Sequence, residues 1–454
     1  MTWDRVLAVI GVLATPGFLP AQQDVVGSWY GTAALRGGNI SLRVDLTRSD
    51  SGISGVMDIV ESKLIRFPVP DARFERGMLR LSVPKGWGLA MFRDIGLKDE
   101  EQVINFEGKP AGDSVPGTLR LAHGTFPLTL RRNRTRNAHG RREDLTFANG
   151  GVTLGGTLYL PQGLGPFAAV VFTHGSGDRT RDAYAMEAEQ LAAAGVAAFV
   201  YDKRGAGRSV GANWTVATFD ELASDAEAAV RALRDRRDID PKRIGLYGLS
   251  QGTWLIGIVA SRVPNLAFLV FVSGSGIPVW EQEIYRTGAM MRAAGYSDAD
   301  IVEAQSYQRT KFAVARTGLG WQQLDSLSKA LRQRPARWFD GYAQEYSTLS
   351  SARFWWLAVF HHDPRPILEH LTMPVLGLFG EKDLSFPIPT VVANMRADLA
   401  RAGNRDVTLT VFSGAEHQLM VPQEHDGRAL RRVVIPDYMP TLIGWLRQRM
   451  LGSH

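Results

Sequence analysis

The chain has 454 residues, more than one hydrophobic core usually supports, so two or more domains are expected. Apolar residues at 45% and charged residues at 22%, with Gly and Pro spread along the chain, exclude a disordered or fibrous protein. A net charge of +6 is small for this length and argues against a nucleic-acid partner, while the absence of cysteine excludes disulfides, thiolate metal sites and a cysteine nucleophile.

At the N-terminus, Arg5 precedes an apolar run from Val6 to Ala14, followed by Pro16, Gly17, Pro20 and the small residue Ala21. This run is too short to span a bilayer and has the layout of a signal peptide over residues 1–21, which implies a periplasmic or secreted protein. Asp4 beside Arg5 and Leu19 before the cleavage point depart from the pattern, and a buried N-terminal strand or short helix is the alternative. No other stretch is long enough to be a transmembrane helix.

Residues 22–132 alternate apolar and polar side chains in short runs, such as Ser41-Leu42-Arg43-Val44-Asp45-Leu46 and Met78-Leu79-Arg80-Leu81-Ser82-Val83. Period-two patterning broken by turn residues predicts an antiparallel β-domain, a sheet or small open barrel of about six to eight strands. It carries no catalytic pattern, so a binding, positioning or stabilising role is expected. The arginine-rich stretch 133–142 reads as a linker; the cluster Arg131, Arg132, Arg134, Arg136, Arg141 and Arg142 is expected to be solvated, with contact to an anionic surface as the alternative.

Over 143–454 short apolar runs alternate with helical pattern, among them Phe167 to Phe172, Ala197 to Val200, Arg243 to Tyr247, Ala267 to Val272 and Val375 to Phe379. Such runs predict strands covered on both faces, hence an α/β domain with a mostly parallel sheet and helices on either side. Thr218 and Glu221 form a capping box ahead of Leu222, Ala226, Ala229, Val230 and Leu233, which share one helical face. The stretch at about 278–370 is too long for a simple crossover and predicts an inserted helical cap. Its Trp280, Trp321, Trp338, Trp355, Trp356, Met290 and Met291 are expected in the core of that cap more than in a pocket lining.

Gly248-Leu249-Ser250-Gln251-Gly252 follows a predicted buried strand and opens a helix. A serine on so sharp a turn is lifted clear of the sheet as a nucleophile, and glycines two residues to either side allow the close approach of chain. The Gln251 N–H at the helix start is suited to an oxyanion, and His174-Gly175-Ser176-Gly177, after the earlier strand, offers the Ser176 N–H as second donor, with Gly177 next. His174 is expected to orient that loop. A serine hydroxyl needs a base and an orienting carboxylate. Asp383 follows the strand ending at Phe379, and His417 follows the predicted strand from Val407 to Phe412, which gives the triad Ser250, Asp383, His417. Glu381 is an alternative carboxylate, and His361, His362 and His425 are competing bases that lie less well against the strand ends.

These motifs, with Tyr201-Asp202-Lys203-Arg204-Gly205-Ala206-Gly207-Arg208-Ser209, Asp363-Pro364-Arg365-Pro366, the run from Met373 to Asp383 and Ala415-Glu416-His417, resemble bacterial α/β-hydrolases of the serine-aminopeptidase-like and dienelactone-hydrolase-like groups. The likeness runs from Asp144 to Met450 and is greatest to secreted or periplasmic esterases with an extra N-terminal domain. It implies an α/β-hydrolase fold and hydrolysis of a small-molecule ester, short-acyl in character, with no metal or organic cofactor. Departures bear on substrate. The dienelactone group uses a cysteine that is missing here, and prolyl aminopeptidases carry a tryptophan where this chain has Gln251. A peptidase or acyl-thioesterase with the same triad is the alternative, and a non-catalytic binding protein a more remote one.

Overall fold

The computed structural model describes residues 24–451, apart from 36–37, 50–51, 60–63, 84–103, 122–123, 134–139, 335–337, 344 and 426–427. The expected signal peptide, 1–21, lies outside the described residues, as do Arg134 and Arg136. No helix among the described residues is long and apolar enough to cross a membrane.

Among the described residues, the N-terminal region forms one antiparallel sheet of nine strands: β1 (Gly27–Leu35), β2 (Gly38–Ser49), β3 (Gly52–Ile59), β4 (Leu64–Val69), β5 (Asp71–Glu75), β6 (Met78–Val83), β7 (Ile104–Gly108), β8 (Ser114–Leu121) and β9 (Gly124–Arg132). Their order is β4-β3-β2-β1-β9-β8-β7-β6-β5, and β3 comes up against β5, so the sheet curls into a near-barrel. Period-two alternation turns Leu42, Val44 and Leu46 of β2, and Leu79, Leu81 and Val83 of β6, into one core around Trp29. Nine strands exceed the six to eight expected, because short connections such as that between Val69 and Asp71 do not read as turns in the sequence.

The second sheet has eight strands in the order β10-β11-β13-β12-β14-β15-β16-β17. They are β10 (Arg141–Asn149), β11 (Val152–Leu160), β12 (Phe167–Thr173), β13 (Ala197–Tyr201), β14 (Ile239–Leu249), β15 (Leu269–Val272), β16 (Val375–Gly380) and β17 (Val407–Phe412). Strands β12 to β17 pair in parallel, and β10 and β11 are antiparallel additions at one edge. The continuous apolar runs follow from two cores, one on each face. In β12, Ala169 and Val171 enter one core while Ala168, Val170 and Phe172 enter the other; Leu269 and Phe271 of β15 oppose Val270 and Val272 in the same way. Helices α1 (Ala185–Ala193), α2 (Phe219–Arg234) and α3 (Gln251–Arg262) cover the sheet. Helix α2 starts at the Thr218–Glu221 capping box and buries Leu222, Ala226, Ala229, Val230 and Leu233.

Arg141 and Arg142, expected in the linker, instead open β10. Arg141 pairs with Glu143 and Asp238, while Arg142 lies over the Tyr159 ring and 3.6 Å from Glu189. Partners so distant in sequence turn a like-charge run into strand residues. Arg132, in β9, covers the Trp29 ring and donates to the Val26 and Asp24 carbonyls.

Between β15 and β16 stand the cap helices, chiefly α4 (Val279–Ala293), α5 (Asp298–Thr317) and α6 (Trp321–Gln333). Trp338 and Met291 belong to the cap core with Ile301, Tyr307 and Phe339. Met290, by contrast, lines a cavity beneath the cap.

Candidate active site

Because β12, β14, β15, β16 and β17 run parallel, the loops that follow them emerge at one edge of the sheet. Ser250 follows β14 directly and precedes α3, with φ 54° and ψ −118°, a conformation that costs a non-glycine residue on the order of 1–3 kcal/mol. Hydrogen bonds hold it there. Its N–H donates to the Val272 carbonyl at 2.9 Å, and its own carbonyl accepts from the Thr253 N–H at 2.9 Å and the Thr253 hydroxyl at 2.6 Å. The flanking glycines are sterically required: a Cβ on Gly248 would lie 2.3 Å from the Gly252 carbonyl oxygen, and one on Gly252 would lie 2.4 Å from that of Thr173.

Asp383 lies three residues beyond β16 and is buried. Its Oδ1 accepts from the Ser385 N–H at 2.6 Å and the Phe386 N–H at 3.2 Å, while Oδ2 is 2.7 Å from Nδ1 of His417. The Phe386 ring stacks on the His417 ring, 5.9 Å between centroids and 10° from parallel, which fixes the imidazole plane. Glu381 instead turns to the Ser413 hydroxyl and the Gly414 N–H, which hold its carboxyl below the usual range.

Of the competing histidines, the side chain of His425 lies outside the described residues, and the other two are employed elsewhere. His361 Nδ1 faces the Trp356 carbonyl, and burial pushes His362, packed edge-on to Phe219, down to about 4. His174 is buried under the loop it was expected to orient, with Nε2 against the Tyr201 carbonyl and its ring stacked on Tyr184; burial pushes it down to about 4. It is a neutral strut.

Ser250, His417, Ser176 and Gln251 all line one cavity of about 820 Å³. Its apolar wall comes from Phe219, Trp254, Val279, Met290, Val359 and Phe360, so the nucleophile helix, α2 and the cap all contribute. Its rim carries paired charges: Arg432 is 2.8 Å from Glu416, and Arg286 is 3.7 Å from Glu283. Burial raises the Glu416 carboxyl against the pull of Arg432.

Sequence reasoning missed two contributors. Arg432 belongs to a hairpin, β18 (Met420–His425) and β19 (Arg428–Val434), whose charged sequence gives no core-facing signal. Lys203 is buried behind the Ser176 loop, and charges in the two positions after the buried strand β13 were the available sign.

Residues 165–303 match the family model described as serine aminopeptidase, S33. Together with the sheet order and the serine elbow, this settles the fold. The second domain has the α/β-hydrolase fold. The chain is 30% identical over 161 residues to the thiohydrolase apmlB of Arthrinium phaeospermum, covering 36% of this chain and 50% of that protein. It is 33% identical over 116 residues to the esterase EstD of Thermotoga maritima, covering 24% of this chain and 27% of that one. The chain thus spans half the length of the first relative and less of the second. The solved α/β hydrolase GrgF from Penicillium aligns over 68% of this chain and 99% of its own at 17% identity, with a TM-score of 0.43. The family match covers the α/β-hydrolase domain from just before β12 into α5; it includes the elbow but neither the Asp383 nor the His417 loop.

Proposed function

We propose that this cavity is the active site of a serine hydrolase that cleaves carboxylic esters, short-acyl ones among them, through an acyl-enzyme on Ser250. The observation that carries the reading is the hydrogen-bonded pair of His417 and Asp383, 2.7 Å apart, at a cavity onto which a strained serine also opens. With Nδ1 committed to Asp383, His417 has Nε2 left to take the Ser250 proton as Oγ attacks the acyl carbon. The N–H groups of Ser176 and Gln251 receive the developing oxyanion. Collapse of the tetrahedral intermediate expels the alcohol, protonated by His417, and leaves the acyl group on Ser250. Water, deprotonated by the same imidazole, then releases the acid, while Asp383 stabilises each imidazolium. No step uses a metal or an organic cofactor.

Similarity to a thiohydrolase favours acyl-thioesters as the second reading, since the same steps serve a sulfur leaving group. The deciding experiment compares p-nitrophenyl esters of increasing acyl length, acyl-thioesters and aminoacyl anilides on the wild type and on Ser250→Ala. Ester turnover that exceeds the other two and vanishes with Ser250 supports the proposal. Preference for thioesters selects the second reading, and ester turnover that survives in Ser250→Ala refutes both.

A further inference from the structure

We propose that Lys203 is the positioning residue of the oxyanion site, its ammonium orienting and polarising the Ser176 amide from behind and anchoring the Gln251 residue that supplies the other donor. The inference deepens the serine-hydrolase reading and rests on it. Lys203 follows β13 and is 3% exposed, and it does not line the cavity. Its Nζ donates to the Gly175 carbonyl at 2.9 Å and to Oε1 of Gln251 at 2.8 Å, with the Gly177 carbonyl at 3.5 Å. One cation therefore ties the loop after β12 to the first residue of α3, the two segments that supply the donors.

The Gly175 carbonyl belongs to the same planar peptide unit as the Ser176 N–H. In a trans peptide the two point in opposite directions, so drawing the carbonyl onto the ammonium turns the N–H away from Lys203. A charge-assisted bond to the carbonyl oxygen also withdraws electron density through the amide, which makes that N–H a stronger donor. Arg179 donates from Nε to the Ser176 carbonyl at 3.2 Å, in the next peptide unit, and so holds the same loop from its other side. Through Oε1 the same ammonium anchors the Gln251 side chain, and with it the residue whose backbone N–H is the second donor. A Cβ at Gly175 would stand 3.6 Å from that of Ser250, so the loop leaves little room for the oxyanion donors to drift from the nucleophile.

Burial, with the Arg179 charge adding, pushes the Lys203 ammonium down to about 7 against the opposing pull of Asp178. The other charged or titratable neighbours are His174, which is neutral, and Asp202, which is committed to Arg181. The Trp214 ring lies 5.4 Å from Nζ. The ammonium is thus present at low pH and lost as pH rises through that value, so turnover is expected to fall on the basic side.

The test measures kcat, KM and their pH profiles for the wild type, Lys203→Met and Lys203→Arg on a p-nitrophenyl ester, with fluorophosphonate labelling of each. Lys203→Met is expected to lower kcat by about 10²-fold with little change in KM, and to lose the basic limb above about pH 7. Lys203→Arg is expected to recover part of kcat and move that limb upward, since guanidinium stays charged. Undiminished kcat in Lys203→Met, or a basic limb that neither variant moves, overturns the proposal. Should Lys203→Met not fold, the limb in Lys203→Arg decides alone. A wild type that neither labels nor turns over esters refutes the serine-hydrolase reading, an outcome distinct from failure of the lysine's role.

Discussion

In the N-terminal sheet, Asp58 is the one buried polar or charged side chain among the described residues, and Arg43 holds it at 2.6 Å. The α/β-hydrolase domain buries Arg181, Asp202, Lys203, Arg204 and Asp225 around the turn that follows β13, and it holds Ser250, Ser273 and Ser275 at positive φ. The Ser273 and Ser275 hydroxyls have no hydrogen-bond partner there. Polar burial and backbone strain both destabilise a fold, and here they gather where parallel strands release their loops. One region is organised for packing and the other gives up packing economy for a precise polar edge.

If that division holds, substitutions at the polar edge should remove activity and those in the first sheet should not. The largest effect is expected from Ser250→Ala, a loss of about 10⁵–10⁶-fold in kcat with an unchanged melting temperature, since alanine keeps the Cβ, read by ester kinetics and calorimetry. Asp383→Asn should cost about 10⁴-fold in kcat, because the amide no longer holds the imidazole in the productive tautomer. Asp202→Asn should cost about 3–5 kcal/mol of stability in urea unfolding, since it leaves the Arg181 guanidinium buried and underpaired.

Arg181 and the backbone amides of Arg181 and Arg208 outweigh burial and hold the Asp202 carboxyl below its ordinary range. A depressed folded-state pKa means that stability is fully present above the unfolded value of about 3.9 and is lost as pH falls through the folded one. Acid unfolding of the wild type below about pH 4 should therefore carry a component that Asp202→Asn lacks. The smallest effect is expected from Arg43→Ala. Arg43 joins β2 to Glu189 of α1 at 2.9 and 3.0 Å as well as to Asp58, so its loss should cost about 1–3 kcal/mol and leave kcat for a small ester unchanged. A large fall in kcat there would show that docking of the first sheet shapes the cavity.

What the sequence made legible divides along the same line. Apolar runs such as Phe167 to Phe172 announce strands buried on both faces, and a serine between glycines after such a strand announces the elbow, because both signals are local. The Asp383 and His417 loops are read from the ends of the strands that precede them, which is also a local signal. Signals carried by distant partners were not legible: Arg142 reads as linker until Glu189 and Tyr159 are seen beside it, and Lys203 reads as one charge in a glycine-containing turn until Gly175 and Gln251 converge on it. The cap tryptophans were ambiguous by composition. Trp338 packs in the cap core, whereas the tryptophan that lines the cavity is Trp254 of the elbow helix.

The central claim is that Ser250 becomes a nucleophile because His417 and Asp383 act on it together. Its most direct test is peptide mapping by mass spectrometry after reaction with a fluorophosphonate. The account predicts a single adduct on the Ser250 hydroxyl of the wild type, formed far more slowly in His417→Ala. An unlabelled folded wild type, an adduct on another residue, or labelling at the same rate in His417→Ala would contradict it.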